Sequence, residues 1–366
     1  MKVCFLNHNL NAATGAGRFG VNLIERLRRA DPKLDAVVLT ALGSGHPLEA
    51  SILHQRFFRL VLAIPRIRAL LQSCDVIHAL DGFPYGVIAA LASIGLGKKF
   101  IITAIGTGAI RPFRRLVRGR LLAWAYRRAD RVVAISRYTR GEIHKRVPNL
   151  TIEVINHAVR AEEFSENLEK DLSENEKLAI KKLKPYVLSV GGWKKRKGFE
   201  YSFAAFAEIR KRFPEMRYVV CGIGPKPKLE QPLGLEGSVR YFKGIRWPFL
   251  KALYAYAELF LLLPVDDDSD VEGFGFAFLE AAAAGLPVIG TRQSGAEDAV
   301  QDGENGFLVA PQNAPAAAEA AIRILSDRAL AERLADGSRR LAREMSWEAV
   351  AERYAALYRG LMESRL

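Results

Sequence analysis

The sequence predicts an α/β protein built of two doubly wound, Rossmann-like domains facing across a cleft, and three observations carry that expectation. The chain has 366 residues, more than one ordinary hydrophobic core serves. Short β-branched runs alternate with helical stretches through both halves, the pattern of parallel strands covered by helices on both faces. A charged interval poor in aromatic residues then interrupts the alternation, which restarts beyond it. The expected layout is an N-terminal domain over 1–165, a linker over 166–184, a C-terminal domain over 185–345 and a packing helix over 346–366.

Each element has its own signal. In the first half the runs Val3–Asn9, Ala36–Thr40, Asp75–Ala79, Phe100–Ala104 and Arg131–Ile135 read as strands, with helices over Phe19–Ala30 and Leu116–Arg128. The boundary segment Ser165–Lys184, which holds the linker, is dominated by Glu, Lys, Asn and Ser. Strands resume at Tyr186–Val190, Tyr218–Cys221, Leu259–Leu263 and Pro287–Gly290, and Trp347–Leu361 has apolar residues at helical spacing. Ligands of such sheets sit at the carboxyl ends of the strands, so the chemistry is expected there.

Composition bounds the class. Apolar residues make up 49% of the chain and charged residues 26%, a globular balance rather than a disordered one. No apolar run reaches the ~20 residues of a membrane span, and Met1–Asn9 turns polar too soon for a signal peptide. A cytoplasmic protein is expected, peripheral at the cytoplasmic face of a membrane if it meets one. The three cysteines and six histidines have no disulfide or metal-ligand spacing; the cysteines read as small buried hydrophobes and the histidines as ordinary residues, with His8 and His78 near strand ends and able to face a cleft. The formal charge of +14 is one-sided: residues 1–165 hold 25 Lys and Arg against 11 Asp and Glu, and residues 166–366 hold 29 against 29. That field favours an anionic partner such as a phospholipid surface or a lipid pyrophosphate. Nucleic acid is not expected, because no recognition module accompanies the charge.

Two segments carry chemistry. In Val271–Gly290 a glycine-rich turn opens a helix near Phe274, and Gly285 with Pro287 ends it before a strand. The free amides and macrodipole at that helix start suit a diphosphate. Glu272 stands just before the helix and Glu280 inside it, two carboxylates able to accept from sugar and ribose hydroxyls; a cap and a surface acid are the plain alternative. In Tyr186–Gly198 a strand runs through Gly191 and Gly192 into the cations Lys194, Lys195, Arg196 and Lys197, ahead of a helix over Phe199–Phe213. Cations at a helix N-terminus oppose its dipole, so they call for a compensating anion, with a phosphate the obvious choice.

The segment from Glu272 to Glu280 resembles the Glu-x7-Glu motif of the family 4 retaining glycosyltransferases, which have the GT-B fold. The ordered tail Ala281–Gly285, Pro287–Ile289, Ser294–Gly295, Asp298–Val300 and Asp302–Gly306 matches it, as does the basic loop Arg196–Gly198. Val219–Pro225, Leu253–Ala257, Pro264 and Ala129–Ser136 are similar to its intervening segments. The resemblance implies a transferase that moves a sugar, with retention and without a bound metal or cofactor. Its donor is a nucleotide sugar, a UDP- or GDP-sugar foremost; the one-sided charge, rather than the resemblance, points to an acceptor glycan on a lipid carrier, as in polysaccharide or glycolipid assembly. The resemblance implies Glu272, Arg196 and Lys197 as catalytic residues. Donor contacts fall to Gly15, Gly17, Gly191, Gly273, Phe274, Gly275 and Glu280, with Arg246 near the base.

The sequence departs from the family pattern at four points. Gly192 stands where Arg is usual, Ile105 where the acceptor-side histidine is expected, Ile223 for an acid and His157 for an asparagine. Ile105 and Gly192 keep open a rival reading, a non-catalytic protein of the same fold that binds a nucleotide sugar or an anionic lipid. The loop Gly15–Gly20 carries G-x-G-x-x-G, read as a loop facing the donor phosphates rather than an NAD site, since the second strand ends without an acid. Asp266–Asp270 reads as a solvated insertion, with a cation site as the alternative. Arg111, Arg114, Arg115 and Arg118 with Trp124 form a basic amphipathic stretch for membrane or acceptor contact, and Arg56–Arg68 holds a second such cluster.

Overall fold

The computed structural model describes residues 1–12, 14–164, 168–222, 234–267 and 270–363. The chain divides into two compact units, Met1–His157 with Trp347–Leu366, and Ala158–Ser346. The division falls at 157/158 and 346/347 rather than at the expected 165 and 184. The described part of the expected linker lies inside the second unit and holds the helix Glu174–Leu183, started by a capping box between Ser173 and Glu176. Its polar surface disguised a helix whose Ile180 and Leu183 are buried.

The first unit is a parallel sheet of β1 (Lys2–Asn7), β2 (Asp35–Thr40), β3 (Glu49–Ala50), β4 (Val76–Ala79), β5 (Lys99–Ala104), β6 (Arg131–Ala134) and β7 (Ile152–Val154). Its order is β3-β2-β1-β4-β5-β6-β7. β1 pairs with β2 through Val3↔Ala36 and with β4 through Val3↔Val76. Val3, Cys4, Phe5 and Leu6 are wholly buried, as a central strand covered on both faces requires. The order reverses at β1 and β4, which makes their carboxyl ends the switch point of this sheet. The helix after β1 spans Gly15–Ala30 and is capped by the Thr14 hydroxyl. Gly15 and Gly17 therefore form its first turn, not the loop the sequence suggested.

The helix Trp347–Glu363 belongs to this unit and is tied to the sheet by polar contacts. His78 Nδ1 lies 2.7 Å from the Tyr358 hydroxyl, and its Nε2 2.7 Å from the Thr103 hydroxyl. Thr103 in turn lies 3.0 Å from the Tyr354 hydroxyl. Burial pushes the His78 imidazole down to about 3, so it is neutral at physiological pH. His78 is thus a core residue rather than one open to ligand. His8 is half-buried and meets the Tyr85 hydroxyl at 2.8 Å.

The second unit is a parallel sheet of β8 (Tyr186–Val190), β9 (Arg217–Gly222), β10 (Val239–Lys243), β11 (Leu259–Leu261), β12 (Val288–Thr291) and β13 (Gly306–Val309), in the order β10-β9-β8-β11-β12-β13. β8 lies between β9 and β11, so the loops after β8 and β11 emerge side by side at the switch point of this sheet. The helix predicted from Phe274 begins at Phe276 and runs to Ala283. Ile223 and Pro225 lie outside the described residues, as do Asp268 and Ser269. Among the described residues no helix is long and apolar enough to cross a membrane.

Asp81, just beyond β4, is half-buried, and its buried Oδ1 has no hydrogen-bond partner. Burial raises its carboxyl from 3.8 to about 8, against the lowering effect of the Phe83 and Gly82 amides. The folded chain therefore holds a proton there that the unfolded chain releases above its ordinary value. This contribution to stability is complete below about pH 3.8 and lost as pH rises through about 8. The opposing effect of His78 is confined to pH below its ordinary 6.5. Between pH 6.5 and 8, Asp81→Asn is expected to raise stability and to remove a dependence of up to ~1.4 kcal/mol per pH unit. Chemical denaturation of both proteins across that interval measures it.

Candidate functional site

The site forms where the loop after β8 meets the loop between β11 and helix Phe276–Ala283. β8 ends at Val190, and Lys195–Lys197 make one short turn before Gly198, whose φ of +60° starts the helix Phe199–Arg212. A Cβ on Gly198 would stand 1.7 Å from the Leu263 carbonyl, so the two loops touch there through backbone alone. The Val265 amide donates to the Arg196 carbonyl at 2.9 Å and fixes the same approach. On the other side Gly275, with a φ of +80°, is the N-cap of helix Phe276–Ala283. That left-handed cap lets the Gly275 amide reach back to Glu272 Oε1 at 3.1 Å.

These turns deliver three charges to one buried point. Glu272 is 8% exposed and Lys197 7%. Glu272 Oε2 accepts from Arg196 Nη1 and lies 2.6 Å from Lys197 Nζ. Arg196 also donates from Nε to Asp270 Oδ2 at 2.9 Å, which Lys194 Nζ approaches at 3.1 Å. Burial acts to raise the Glu272 carboxyl, but Lys197 and Arg196 outweigh it and hold the group below the usual range. Burial lowers the Lys197 ammonium further than the attraction of Glu272 raises it. For Arg196 burial is overcome by Glu272 and Asp270, and the guanidinium stays above its usual value. The compensating anions that the basic loop demanded are therefore carboxylates of the same unit.

Of the residues singled out from the sequence, Arg196, Lys197, Glu272, Gly273, Phe274 and Gly275 come together here, with Gly191 against the Lys197 side chain. Glu280 is buried on the adjoining helix, accepts from the Tyr254 hydroxyl at 2.9 Å and contributes to the field at Lys197. It is not a surface acid. Arg246 is engaged elsewhere, by Glu176 at 2.6 Å and the Asp171 carbonyl at 3.2 Å. Gly15 and Gly17 belong to the other unit. Of the two lysines nearest Gly192 in the basic loop, Lys195 is exposed and Lys194 is paired with Asp270. The acidic run corrects the sequence reading: Asp270 is part of the cluster, not of a solvated insertion. Sequence reasoning passed over it because an acidic run looks alike whether it is solvated or paired. Among the described residues no group of three or more His, Cys, Asp or Glu is arranged to hold a metal ion.

Two doubly wound parallel sheets, each with a switch point and one with this charged helix start, define the chain as GT-B. The superposition on HepE of Anabaena, solved in complex with UDP, has a TM-score of 0.80 over 98% of this chain and 100% of that one at 18% identity. Residues 13–163 match the family model described as Glycosyltransferase Family 4, and residues 171–341 the one described as Glycosyl transferases group 1. Between them these two glycosyltransferase models cover most of the chain. It is 29% identical over 245 residues to a GDP-mannose-dependent alpha-(1-6)-phosphatidylinositol monomannoside mannosyltransferase of Mycolicibacterium smegmatis, a match covering 65% of this chain and 64% of that protein. It is 34% identical over 184 residues to D-inositol 3-phosphate glycosyltransferase of Corynebacterium urealyticum, covering 47% and 42%. The matches thus span from under half to just under two thirds of the length of these two relatives.

Removing the Glu272 charge while keeping its shape leaves Arg196 and Lys197 buried around a neutral amide. Glu272→Gln is expected to lose about 3–5 kcal/mol of stability, the usual cost of breaking a buried pair from one side. Inorganic pyrophosphate is expected to return more of that loss to the variant than it adds to the parent protein. Denaturant melts with and without pyrophosphate measure both.

Proposed function

We propose that this chain is a retaining glycosyltransferase that moves a sugar from a nucleotide-sugar donor to a hydroxyl of its acceptor. The observation that carries the reading is the buried Glu272 carboxylate held between Arg196 and Lys197 ahead of helix Phe276–Ala283. Those cations are paired with the carboxylates of Glu272 and Asp270. A donor diphosphate offers them the same charge, and its negative charge grows as the glycosidic bond to the leaving phosphate breaks. Cations already held in place stabilise that growing charge with little reorganisation. Glu272, relieved of part of its pairing, accepts hydrogen bonds from the donor sugar.

The backbone of Gly273–Gly275 lies where sugar and diphosphate would rest, and Gly191 leaves room beside Lys197. Glu280 is the candidate for the ribose hydroxyls. Arg196 and Lys197 supply the charge on the diphosphate, so the scheme routes no step through a metal ion, and the nucleotide sugar is a substrate rather than a cofactor. Retention of anomeric configuration follows the family pattern. UDP- and GDP-sugars are the first donors to try, since one relative is named as GDP-mannose-dependent and HepE was solved with UDP. The phosphatidylinositol and inositol phosphate in the relatives' names support an anionic acceptor, lipid-linked, met at the cytoplasmic face of a membrane. The excess of cations in residues 1–165 suits that acceptor.

Thermal melts against UDP-, GDP-, ADP-, dTDP- and CMP-sugars test the donor. A ligand at ~100 times its Kd stabilises the folded chain by about 2.7 kcal/mol, so one nucleotide is expected to raise the Tm and the others not. With that donor, Glu272→Ala is expected to lower turnover by roughly 10²-fold or more. A folded Glu272→Ala protein that turns over like its parent refutes the assignment, and a donor bound but never cleaved or transferred favours a non-catalytic binding protein.

A further inference from the structure

Seven of the eight large apolar side chains that stand exposed among the described residues belong to the first unit. Four stand out furthest: Phe58 and Leu116 at 71%, Val117 at 70% and Leu62 at 64% exposed. Phe58 and Leu62 lie four residues apart on helix Phe57–Leu62, hence on one face, while Leu60 on the opposite side is fully buried and anchors the helix. Leu116 and Val117 open helix Leu116–Arg128, which packs on the unit through Leu122, Ala125 and Tyr126. Neither pair is covered, although both helices are well rooted.

The two segments are far apart in sequence but meet at Phe83. The Phe57 ring stacks on it, with centroids 5.0 Å apart and planes at 21°. The Arg118 guanidinium lies over the same ring, 5.7 Å from its centroid. The exposed apolar pairs therefore flank one aromatic side chain. Cations surround them: Arg56 and Arg59 on one side, Arg111 and Arg115 on the other, all exposed and none in an ion pair with a described residue. At the edge of the first segment is an open cavity of about 340 Å³ lined by Ala41, His54, Gln55, Arg56 and Arg59.

We infer that helix Phe57–Leu62 and the first turn of helix Leu116–Arg128 form one docking face for an anionic phospholipid bilayer. The four apolar side chains enter the acyl boundary, and the arginines stay at the level of the phosphates. The Arg56–Arg59 cavity takes a lipid phosphate. Charge complementarity names the partner, because an apolar tip ringed by unpaired cations matches an interface that is apolar below and anionic above. Phosphates of a nucleic acid would satisfy the arginines, but its bases would find no aromatic ring to stack on at Leu62, Leu116 or Val117. The half-buried Trp124, expected from the sequence at this contact, is not one of the side chains that reach outward. This inference goes beyond sugar transfer and does not depend on it.

The test is sedimentation of the full chain with phosphatidylcholine vesicles, with and without phosphatidylglycerol. Binding is expected only with phosphatidylglycerol. The double variants Phe58→Ser/Leu62→Ser and Leu116→Ser/Val117→Ser are each expected to lower partitioning about tenfold or more. Arg56→Gln/Arg59→Gln is expected to lower it too, with a weaker response to salt. Equal binding to both vesicle types, no binding to either, or unchanged binding by both apolar variants overturns the inference. Parent-like thermal melts of the variants exclude misfolding, and their melts with the nucleotide-sugar panel report the donor reading separately.

Discussion

The second unit is organised around one buried carboxylate. Taking Glu272, Arg196 and Lys197 out of water carries a desolvation cost of several kcal/mol per ion before any attraction is counted. The arrangement persists because each charged group is answered. Glu272 Oε2 meets both cations, Oε1 meets the Gly275 amide, and Arg196 has a second carboxylate in Asp270. The geometry also fixes two loops at once. The turn after β8 and the turn before helix Phe276–Ala283 cannot separate without leaving a buried charge alone, so the backbone contacts at Gly198 and Val265 are enforced by electrostatics as well as by shape. Left-handed glycines at both turns are what allow the charges to converge.

The first unit solves the corresponding problem without charge. His78, Thr103, Tyr354 and Tyr358 join the middle of a parallel sheet to a helix 251 to 280 residues later in the chain. Burial keeps the imidazole neutral, so the network consists of neutral hydrogen bonds, each modest in net worth but costly to leave half made. It explains why the final helix belongs with the opening strands.

How far the sequence could be read depended on which interactions were local. Strand-helix alternation is local, and the expected strands fall within two residues of the observed ones at either end. Arg196, Lys197 and Glu272 were visible because glycine turns, a run of cations and a helix start are all written in consecutive residues. Asp270 and Tyr254 were not, since their partners, Arg196 and Glu280, lie 74 and 26 residues away. For the same reason the attachment of the last helix to the first unit, decided by Tyr354 and Tyr358, was invisible, and so was the core role of His78. The short edge strands Glu49–Ala50 and Ile152–Val154 lack the length for a periodic signal. Helix Glu174–Leu183 was mistaken for linker because its apolar stripe is narrow.

The two units handle their cations in opposite ways, and this bears on how each meets an anion. Residues 166–366 hold equal numbers of acids and bases, and in the basic loop there Lys194, Arg196 and Lys197 are paired with Glu272 and Asp270. An anion arriving at that loop meets cations already paired with carboxylates, so the gain comes from geometry within a buried, weakly screened environment. Residues 1–165 carry the whole excess of positive charge, much of it on exposed arginines with no acid opposite. An anion there meets an uncompensated field that reaches outward by about a Debye length and weakens with salt. Such a division suits a chain that must discriminate a small ligand with one unit and find an extended, charged surface with the other.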